Sequence, residues 1–246
     1  MKPRLLDLFC GAGGCARGYA DAGFEVIGCD IAPQRHYPYT FYQANALDVL
    51  DMLLSNDGLW HGYALDDFHA IHASPPCQEY SQSRHLRNAT TKYGVKHAPM
   101  LIEPVRARLA ATGLLWIIEN VAFSPLPDAL VLCGSMFGLP VRRHRWFASN
   151  LMLFAPGPCQ HTDSCINPVG AKVRGYGALA SKTTYRDAKG AIRKRESYLP
   201  LATGQAAMGI DWMTLDELSQ AIPPPYTEWI GNQLRAVIEV ERVVVA

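Results

Sequence analysis

The chain has 246 residues, of which 49% are hydrophobic and 18% charged, and its formal net charge is +1. This length suits one α/β domain with a small appendage, and the composition is that of a globular protein. Apolar stretches all fall short of the roughly 20 residues that a membrane span needs. We expect no signal peptide, because residues 1–14 become glycine-rich too early. The seven scattered cysteines indicate reduced thiols and a cytoplasmic protein.

The charge is unevenly distributed along the chain. Residues 151–200 contain eight Lys or Arg and three Asp or Glu, so their net charge is +5, and the other 196 residues sum to −4. Positive charge gathered on one segment is typical of a polyanion site. A solvated basic loop would have the same charge, so the pattern alone leaves both interpretations open.

The first sixty residues begin an alternation of strands and helices. The apolar run 5–9 predicts a strand that breaks into the glycine-rich loop 10–14, and a helix follows and ends at Gly23. The next apolar run, 25–30, predicts a strand that ends in a carboxylate.

Three further elements continue this alternation. Residues 67–74 predict a strand, residues 98–113 a helix and residues 114–121 a buried strand. Pro104 inside the helical stretch indicates a late start or a kink. The order predicts βαβ units and a parallel sheet open at its carboxyl edge.

The pattern divides the chain into three regions. Residues 1–150 form the predicted core, and residues 151–200 are rich in Gly, Pro, Ser, Thr and basic residues without a lasting period. We interpret that segment as an irregular insert. Residues 201–246 return to the core and end in a predicted helix.

A cysteine follows two prolines at the end of the third predicted strand. Pro75 and Pro76 fix the local φ angles and remove two backbone donors, so the chain forms a rigid corner at Cys77. Such a thiol is either a turn residue or a nucleophile at the mouth of a site, and partner residues must decide.

The glycine loop and the carboxylate of Asp30 form a second candidate site. The loop lacks the G-K-[ST] ending of a phosphate-binding loop. A glycine loop before a helix, with an acid at the end of the next strand, fits a cofactor that contains a nucleoside. The carboxylate would accept hydrogen bonds from the ribose hydroxyls. Both NAD and S-adenosylmethionine satisfy this pattern.

Six short segments in order resemble the motifs of the cytosine-5 DNA methyltransferases. They are DLFCGAGG (7–14), SPPCQEYS (74–81), ENV (119–121), PVRRHRWF (140–147), GQAAMGIDWM (204–213) and LSQAIPPPYTEWIG (218–231). The resemblance implies an α/β, Rossmann-like S-adenosylmethionine methyltransferase sheet with helices on both faces and a small irregular target-recognition insert. It also implies double-stranded DNA as partner, S-adenosylhomocysteine as product and a monomer without membrane contact.

The resemblance implies a catalytic role for five residues. The thiolate of Cys77 would add to carbon 6 of cytosine, which makes carbon 5 nucleophilic toward a methyl sulfonium. Glu119 would contact N3 of the cytosine. Arg143 and Arg145, which are predicted to face one side of a strand, would bind the cytosine O2 atom and a nearby phosphate. Asn120 is interpreted as orienting the loop or capping it. The target base must leave the duplex to react.

The resemblance also implies the cofactor and DNA contacts. The cofactor residues are Phe9, Gly11, Ala12, Gly13, Gly14, Asp30, Ile31, Asn45, Ala46, Pro76, Gln220, Ala221 and Ile222. Gly11–Gly14 would contact the methionine part, Asp30 the ribose, and Asn45 or the Ala46 backbone the adenine. The DNA residues are Ser81, Arg84, His85 and Arg87 after the nucleophile, and Lys172, Arg174, Arg193, Lys194 and Arg195 in the insert. An insert of about fifty residues is short for the family, so we expect a short recognition sequence.

The sequence departs from the family pattern in three places. Val141 replaces the glutamine before the two arginines, and Asn45 replaces an aspartate that binds the adenine amino group. Residues 219–220 are Ser-Gln where the family has Gly-Asn, near the methionine end of the cofactor. This last change leaves a modified sulfonium donor open.

Other functions remain open from the sequence. An RNA (tRNA) cytosine-5 methyltransferase uses the same motifs, and a catalytically silent nucleic-acid-binding relative shares the fold. The retention of Cys77, Glu119 and both arginines disfavours the silent relative, and a cysteine after the two prolines disfavours an amino-methylating enzyme. Cys159, His161 and Cys165 lie close in sequence but fit no standard zinc finger, so we expect no metal.

Overall fold

The computed structural model describes residues 2–77, 100–161 and 200–245, except the side chains of 241–245, and the backbone of two strands at 183–186 and 192–195. The strands are β1 (Arg4–Leu8), β2 (Glu25–Asp30), β3 (Thr40–Gln43), β4 (Ala70–Ala73), β5 (Leu115–Asn120), β6 (Leu130–Leu132), β7 (Arg145–Ser149), β8 (Thr183–Arg186) and β9 (Ile192–Arg195). The helices are α1 (Gly14–Asp21), α2 (Ala46–Leu54), α3 (Ile102–Ala111), α4 (Leu201–Met208), α5 (Leu215–Gln220) and α6 (Pro224–Val245).

A seven-stranded sheet in the order β3-β2-β1-β4-β5-β7-β6 forms the centre of the protein. The first five strands are parallel, which confirms the predicted βαβ pattern. The prediction of a parallel sheet is wrong for β7, which pairs antiparallel with both β5 and β6. Antiparallel neighbours need no crossover helix, and the short segments that join β5, β6 and β7 supply none.

Helices cover both faces of the sheet, as predicted. Alternate residues of each strand point to opposite faces, so Leu6 and Leu8 pack with Leu50 of α2 and Leu109 of α3. Leu5 points to the other face, where the side chains of α1 and α6 form a second core. Because both faces are buried, the leucines of β1 at positions 5, 6 and 8 do not alternate with exposed polar residues.

The N-terminal and C-terminal helices pack closely. A Cβ added at Gly18 of α1 would lie 2.1 Å from the carbonyl oxygen of Pro224, the first residue of α6. The closing helix predicted from the sequence is therefore confirmed, and it packs against the helix that follows the glycine loop. Among the described residues, no helix is long and apolar enough to cross a membrane.

Pro104 is the third residue of α3, which begins at Ile102. The first N–H groups of a helix have no intrahelical partner, so a proline is tolerated there. The late helix start is thereby confirmed.

Two strands in the insert correct the expectation of an irregular segment. β8 and β9 pair antiparallel, with Thr183 opposite Arg195 and Arg186 opposite Ile192. Each strand has four residues, too few for a period of two to show in the sequence. The boundaries of the core, insert and return regions stay predictions.

Candidate active site

The ends of β1, β4 and β5 bring the predicted catalytic segments to one edge of the sheet. Leu8 is opposite Ala73, and Ala73 is opposite Ile118. The residues that follow these three strands therefore emerge side by side, at the edge where α/β proteins bind ligands.

Asn120 connects the end of β5 to the diproline corner. Its Nδ2 donates to the carbonyl oxygen of Pro75 at 2.9 Å, and its Oδ1 accepts from the Val121 N–H at 2.9 Å. The side chain is buried, with the residue 1% exposed. Asn120 thus orients the loop before Cys77 and also caps the end of its own strand.

Glu119 pairs with Arg145 inside the site. Glu119 Oε1 lies 3.2 Å from Arg145 Nε, and both side chains are largely buried. Burial raises the pKa of the Glu119 carboxyl, while Arg145, a hydrogen bond with Ser74 and the charge of Arg143 oppose this shift. A carboxyl group that holds its proton more tightly is suited to donate a hydrogen bond.

A chain of buried hydrogen bonds runs from Tyr19 through His72 to Ser74, which bonds to Glu119. Tyr19 OH lies 2.9 Å from His72 Nδ1, and His72 Nε2 lies 2.9 Å from Ser74 Oγ. Burial lowers the pKa of His72 to about 3, so the ring is neutral at physiological pH. Sequence reasoning missed these residues, although a histidine in the apolar strand β4 was a signal.

The Cys77 thiol is half-buried beside these groups. Burial raises its pKa above the ordinary value, the Glu119 charge raises it further, and Arg145 and Arg143 partly oppose the shift. The resting residue therefore favours the thiol, and its activation requires removal of that proton.

Arg143 is buried with unpaired donors. Its Nη2 donates to the Ser219 carbonyl oxygen at 2.9 Å, and Tyr226 OH donates to the Arg143 carbonyl oxygen at 2.7 Å. Among the described residues, Arg143 Nε and Nη1 have no hydrogen-bond partner. Burial lowers the pKa of Arg143 to about 9, and Arg145 adds to this effect. Unpaired buried donors are costly, so their presence indicates a place for an acceptor from a ligand.

Arg143 and Arg145 do not share one strand. β7 begins at Arg145, and Arg143 lies in the segment before it, held by residues near α5 and α6. The predicted alternation along a strand is wrong in this respect. The contacts with Ser219 and Tyr226 span more than seventy residues of sequence, so no local pattern predicted them.

The glycine loop has one packed side and one open side. A Cβ at Gly13, with φ +87°, would lie 2.8 Å from Pro38 Cδ. At Gly11, with φ +49°, a Cβ would meet no described atom within 4 Å. The Gly11 N–H donates to Asp30 Oδ2 at 3.1 Å, and the Ala32 N–H donates to Asp30 Oδ1 at 2.9 Å. The carboxylate is therefore fixed beside the open side of the loop, and each oxygen has a further lone pair for a ligand.

The C-terminal segment packs against the same loop. A Cβ at Gly14 would lie 2.5 Å from the Ile222 carbonyl oxygen and 3.3 Å from Ala221 Cβ. Trp212 Nε1 donates to the Ala12 carbonyl oxygen at 2.8 Å. The structure thus brings Ala221 and Ile222 to the predicted cofactor loop, whereas Gln220 is exposed at the end of α5.

Asn45, which stands where the family has an aspartate, has a structural role. Its Oδ1 accepts from the Leu47 N–H at 3.0 Å and caps α2, whose first residue, Ala46, is buried. Ile31 next to Asp30 is 69% exposed, an apolar side chain free to contact a ligand. Phe9 and Pro76 are half-buried. The cofactor contacts of these residues stay predictions.

Val141, the first departure, is a core residue. It is completely buried and packs with Met208, Ile210 and Leu218. A glutamine at this position would place an amide among apolar side chains, so the substitution fits the local packing.

The predicted DNA contacts lie outside the described side chains. Ser81, Arg84, His85, Arg87, Lys172 and Arg174 are not among the described residues. Arg193, Lys194 and Arg195 belong to β9, of which only the backbone is described. These roles stay predictions.

Two solved structures share the fold of this protein. S. pombe Dnmt2 methyltransferase is 12% identical with a TM-score of 0.56, over 97% of this chain and 99% of that one. A prophage-encoded E. coli protein, assigned as a DNA modification methyltransferase, is 15% identical with a TM-score of 0.58, over 96% and 99%. The protein therefore has the α/β methyltransferase fold.

The sequence comparisons agree with the motifs. Residues 3–123 match the family model of the C-5 cytosine-specific DNA methylases. Type II methyltransferase M.AgeI of Thalassovita gelatinovora is 24% identical over 166 residues. That match covers 58% of this chain and 38% of the relative. The resemblance inferred from the motifs is thereby confirmed.

Proposed function

We propose that this protein methylates carbon 5 of cytosine in double-stranded DNA, with S-adenosylmethionine as the methyl donor. The family match supports the reaction, and the name of the type II relative supports DNA as substrate. The observation that carries the proposal is the group of Cys77, the Glu119–Arg145 pair and the unpaired donors of Arg143 at one sheet edge.

The residues at the edge of β1 and β2 fit S-adenosylmethionine. The Asp30 carboxylate, fixed by two backbone N–H groups, retains lone pairs for the two ribose hydroxyls. The open space at Gly11 leaves room for close approach of the methionine part, and the exposed Ile31 offers an apolar surface to the adenine. When bound, this donor supplies a methyl group that is electrophilic because it is attached to a sulfonium.

Cys77 acts on the target ring as a nucleophile. Once its proton is removed, the thiolate adds to carbon 6, and carbon 5 gains the electron density of an enamine. The corner at Pro75 and Pro76, fixed by Asn120, limits the motion of the attacking sulfur. After methyl transfer, loss of the carbon 5 proton and of the thiolate restores the aromatic ring.

Glu119 and the arginines stabilise the charge that develops on the ring. A protonated Glu119 donates to N3, and burial favours that protonated form. Arg145 holds the Glu119 carboxyl in position, and the free donors of Arg143 supply a site for O2 or a phosphate oxygen. The base reaches these groups only after it leaves the duplex.

The proposal is tested by tritiated methyl transfer to duplex DNA and to tRNA, followed by bisulfite sequencing of the DNA. We expect label on DNA and a protected cytosine in a short sequence. Cys77→Ser should abolish labelling, whereas Cys29→Ser, which changes a buried thiol of β2, should not. Label only on tRNA would support the RNA enzyme, and label on neither would support the silent relative. We also propose a cytoplasmic location, because the described cysteines form no disulfide.

A further inference from the structure

Two cysteines and two histidines form a compact cluster outside the proposed active site. The nearest ligand-type atoms of Cys133, His144, Cys159 and His161 all lie within 4.8 Å of one another. Cys159 Sγ is 2.7 Å from His161 Nε2, Cys133 Sγ is 3.2 Å from the same nitrogen, and Cys159 Sγ is 3.5 Å from His144 Nε2. Two thiol sulfurs and two imidazole nitrogens therefore lie close enough to contact a single metal ion.

The separations fit a tetrahedral metal site. Zn–S bonds of about 2.3 Å and Zn–N bonds of about 2.0–2.1 Å place the corners of a tetrahedron roughly 3.3–3.8 Å apart. The separations of 3.2 and 3.5 Å lie close to this range. On binding, the 2.7 Å contact opens by about 0.8 Å and the widest separation closes by about 1 Å. Two thiolates and two imidazoles are a common ligand set of structural zinc, and two thiolates neutralise its charge.

The ligands come from three separate places in the chain. Cys133 directly follows β6 and is completely buried, and His144 directly precedes β7. Cys159 and His161 lie in the first part of the insert, after β7. Ser135 supports this segment, since its Oγ lies 3.3 Å from Cys159 Sγ and accepts from the Gln160 N–H at 3.1 Å.

We infer that Cys133, His144, Cys159 and His161 bind one structural Zn²⁺ ion. Four protein ligands leave no open position, so this zinc is structural and not catalytic. It fixes the start of the insert to the β6–β7 unit, next to Arg143 and Arg145, which flank His144. From the sequence we expected no metal, because Cys159, His161 and Cys165 fit no standard zinc finger. Cys165 lies outside the described residues. Cys133 and His144 are too distant in sequence to form a recognisable finger.

The first test measures zinc in the full-length protein purified without chelators. Wild type should contain stoichiometric zinc by mass spectrometry of the metal, and Cys133→Ser and Cys159→Ser should lose most of it. Cys29→Ser is the matched control, because the Cys29 thiol is buried and contacts the Ala44 carbonyl outside the cluster. Folded wild-type protein without zinc, which also fails to take up added zinc, would overturn the inference.

A second measurement separates metal loss from misfolding. Wild type depleted of metal is titrated with Co²⁺, which in a tetrahedral thiolate site gives intense visible bands and a thiolate-to-cobalt charge-transfer band. His161→Ala changes the most exposed ligand and should weaken Co²⁺ binding at least tenfold while the circular dichroism spectrum is kept. A weak octahedral cobalt spectrum in wild type, or unchanged binding in folded His161→Ala, would contradict the assignment.

Discussion

The amide of Asn120 donates to the carbonyl oxygen of Pro75 across 2.9 Å, and this bond joins the end of β5 to the corner that carries Cys77. β4 and β5 are adjacent parallel strands, so the bond spans the edge of the sheet where they end. The position of the proposed nucleophile therefore depends on a side chain next to the proposed acid, Glu119.

Replacement of Asn120 should lower both the stability of the protein and the rate of methyl transfer. Asn120→Ala removes a buried hydrogen bond and leaves the Pro75 carbonyl unpaired, which should lower the free energy of unfolding by about 1–3 kcal/mol. The corner at Cys77 also loses its support, so kcat for methyl transfer should fall at least tenfold with little change in cofactor affinity. Urea unfolding, steady-state kinetics and calorimetry measure these effects.

Asn150→Ala is the matched control for this prediction. Asn150 bonds the other end of β5, where its Oδ1 accepts from the Trp116 N–H and its Nδ2 donates to the Leu114 carbonyl oxygen. This variant should lose stability but retain kcat. Equal loss of kcat in both variants would mean that Asn120 acts only through stability.

The pKa of Cys77 should respond to Glu119. Burial and the Glu119 charge raise that pKa, so the alkylation rate of Cys77 should rise with pH through a midpoint above the ordinary thiol value. Glu119→Gln removes the negative charge and should move the midpoint to lower pH. Iodoacetamide labelling followed by peptide mass spectrometry gives the rate at Cys77 alone. Glu103→Gln, on the exposed surface of α3, should leave the midpoint in place, and an unchanged midpoint in Glu119→Gln would refute the coupling.

Arg143 should contribute to the reaction more than to stability. Its guanidinium is buried with two nitrogens unpaired among the described residues, so Arg143→Met removes a costly buried charge along with one hydrogen bond to Ser219. We expect a free energy of unfolding close to or above wild type and a loss of methyl transfer of at least a hundredfold. Arg108→Met, which breaks the surface pair with Asp51 and a bond to the Pro104 carbonyl oxygen, should leave methyl transfer unchanged. Methyl transfer at the wild-type rate in Arg143→Met would exclude a role with the substrate.

Asp30 should determine cofactor affinity. Charge-assisted hydrogen bonds contribute roughly 1.5–3 kcal/mol each, so Asp30→Ala should weaken S-adenosylmethionine binding at least tenfold. DNA binding without cofactor should stay nearly intact. Asp21→Ala, which breaks a surface pair with Arg17 on α1, is the control. Calorimetry that finds the same affinity in Asp30→Ala and wild type would remove the basis for the proposed cofactor site.

The sequence predicted the parts of this protein that follow local rules. The apolar runs predicted β1, β2, β4 and β5 but not β3, the glycines marked the loop after β1, and Pro104 marked a helix start. The motif order also indicated the family, since the nucleophile follows β4 and the acid lies at the end of β5. These features depend on the residue itself and on its nearest neighbours.

The sequence did not predict the contacts that form between distant segments. Nothing near Arg143 in the chain indicates Ser219 or Tyr226, and nothing near Cys159 indicates Cys133. The antiparallel β7 was missed for the same reason, since pairing direction depends on the path of the chain and not on composition. Such contacts arise only when the sheet has assembled.

The most direct test of the account is covalent capture of Cys77 on its substrate. Duplex DNA in which the target cytosine carries fluorine at carbon 5 cannot lose a proton after methyl transfer, so the enzyme should remain attached through sulfur. We predict a denaturation-resistant complex that needs S-adenosylmethionine and whose modified peptide contains Cys77. Cys77→Ser should form no such complex while it still binds the cofactor. Full methyl transfer by Cys77→Ser, or a complex formed through another residue, would contradict the account.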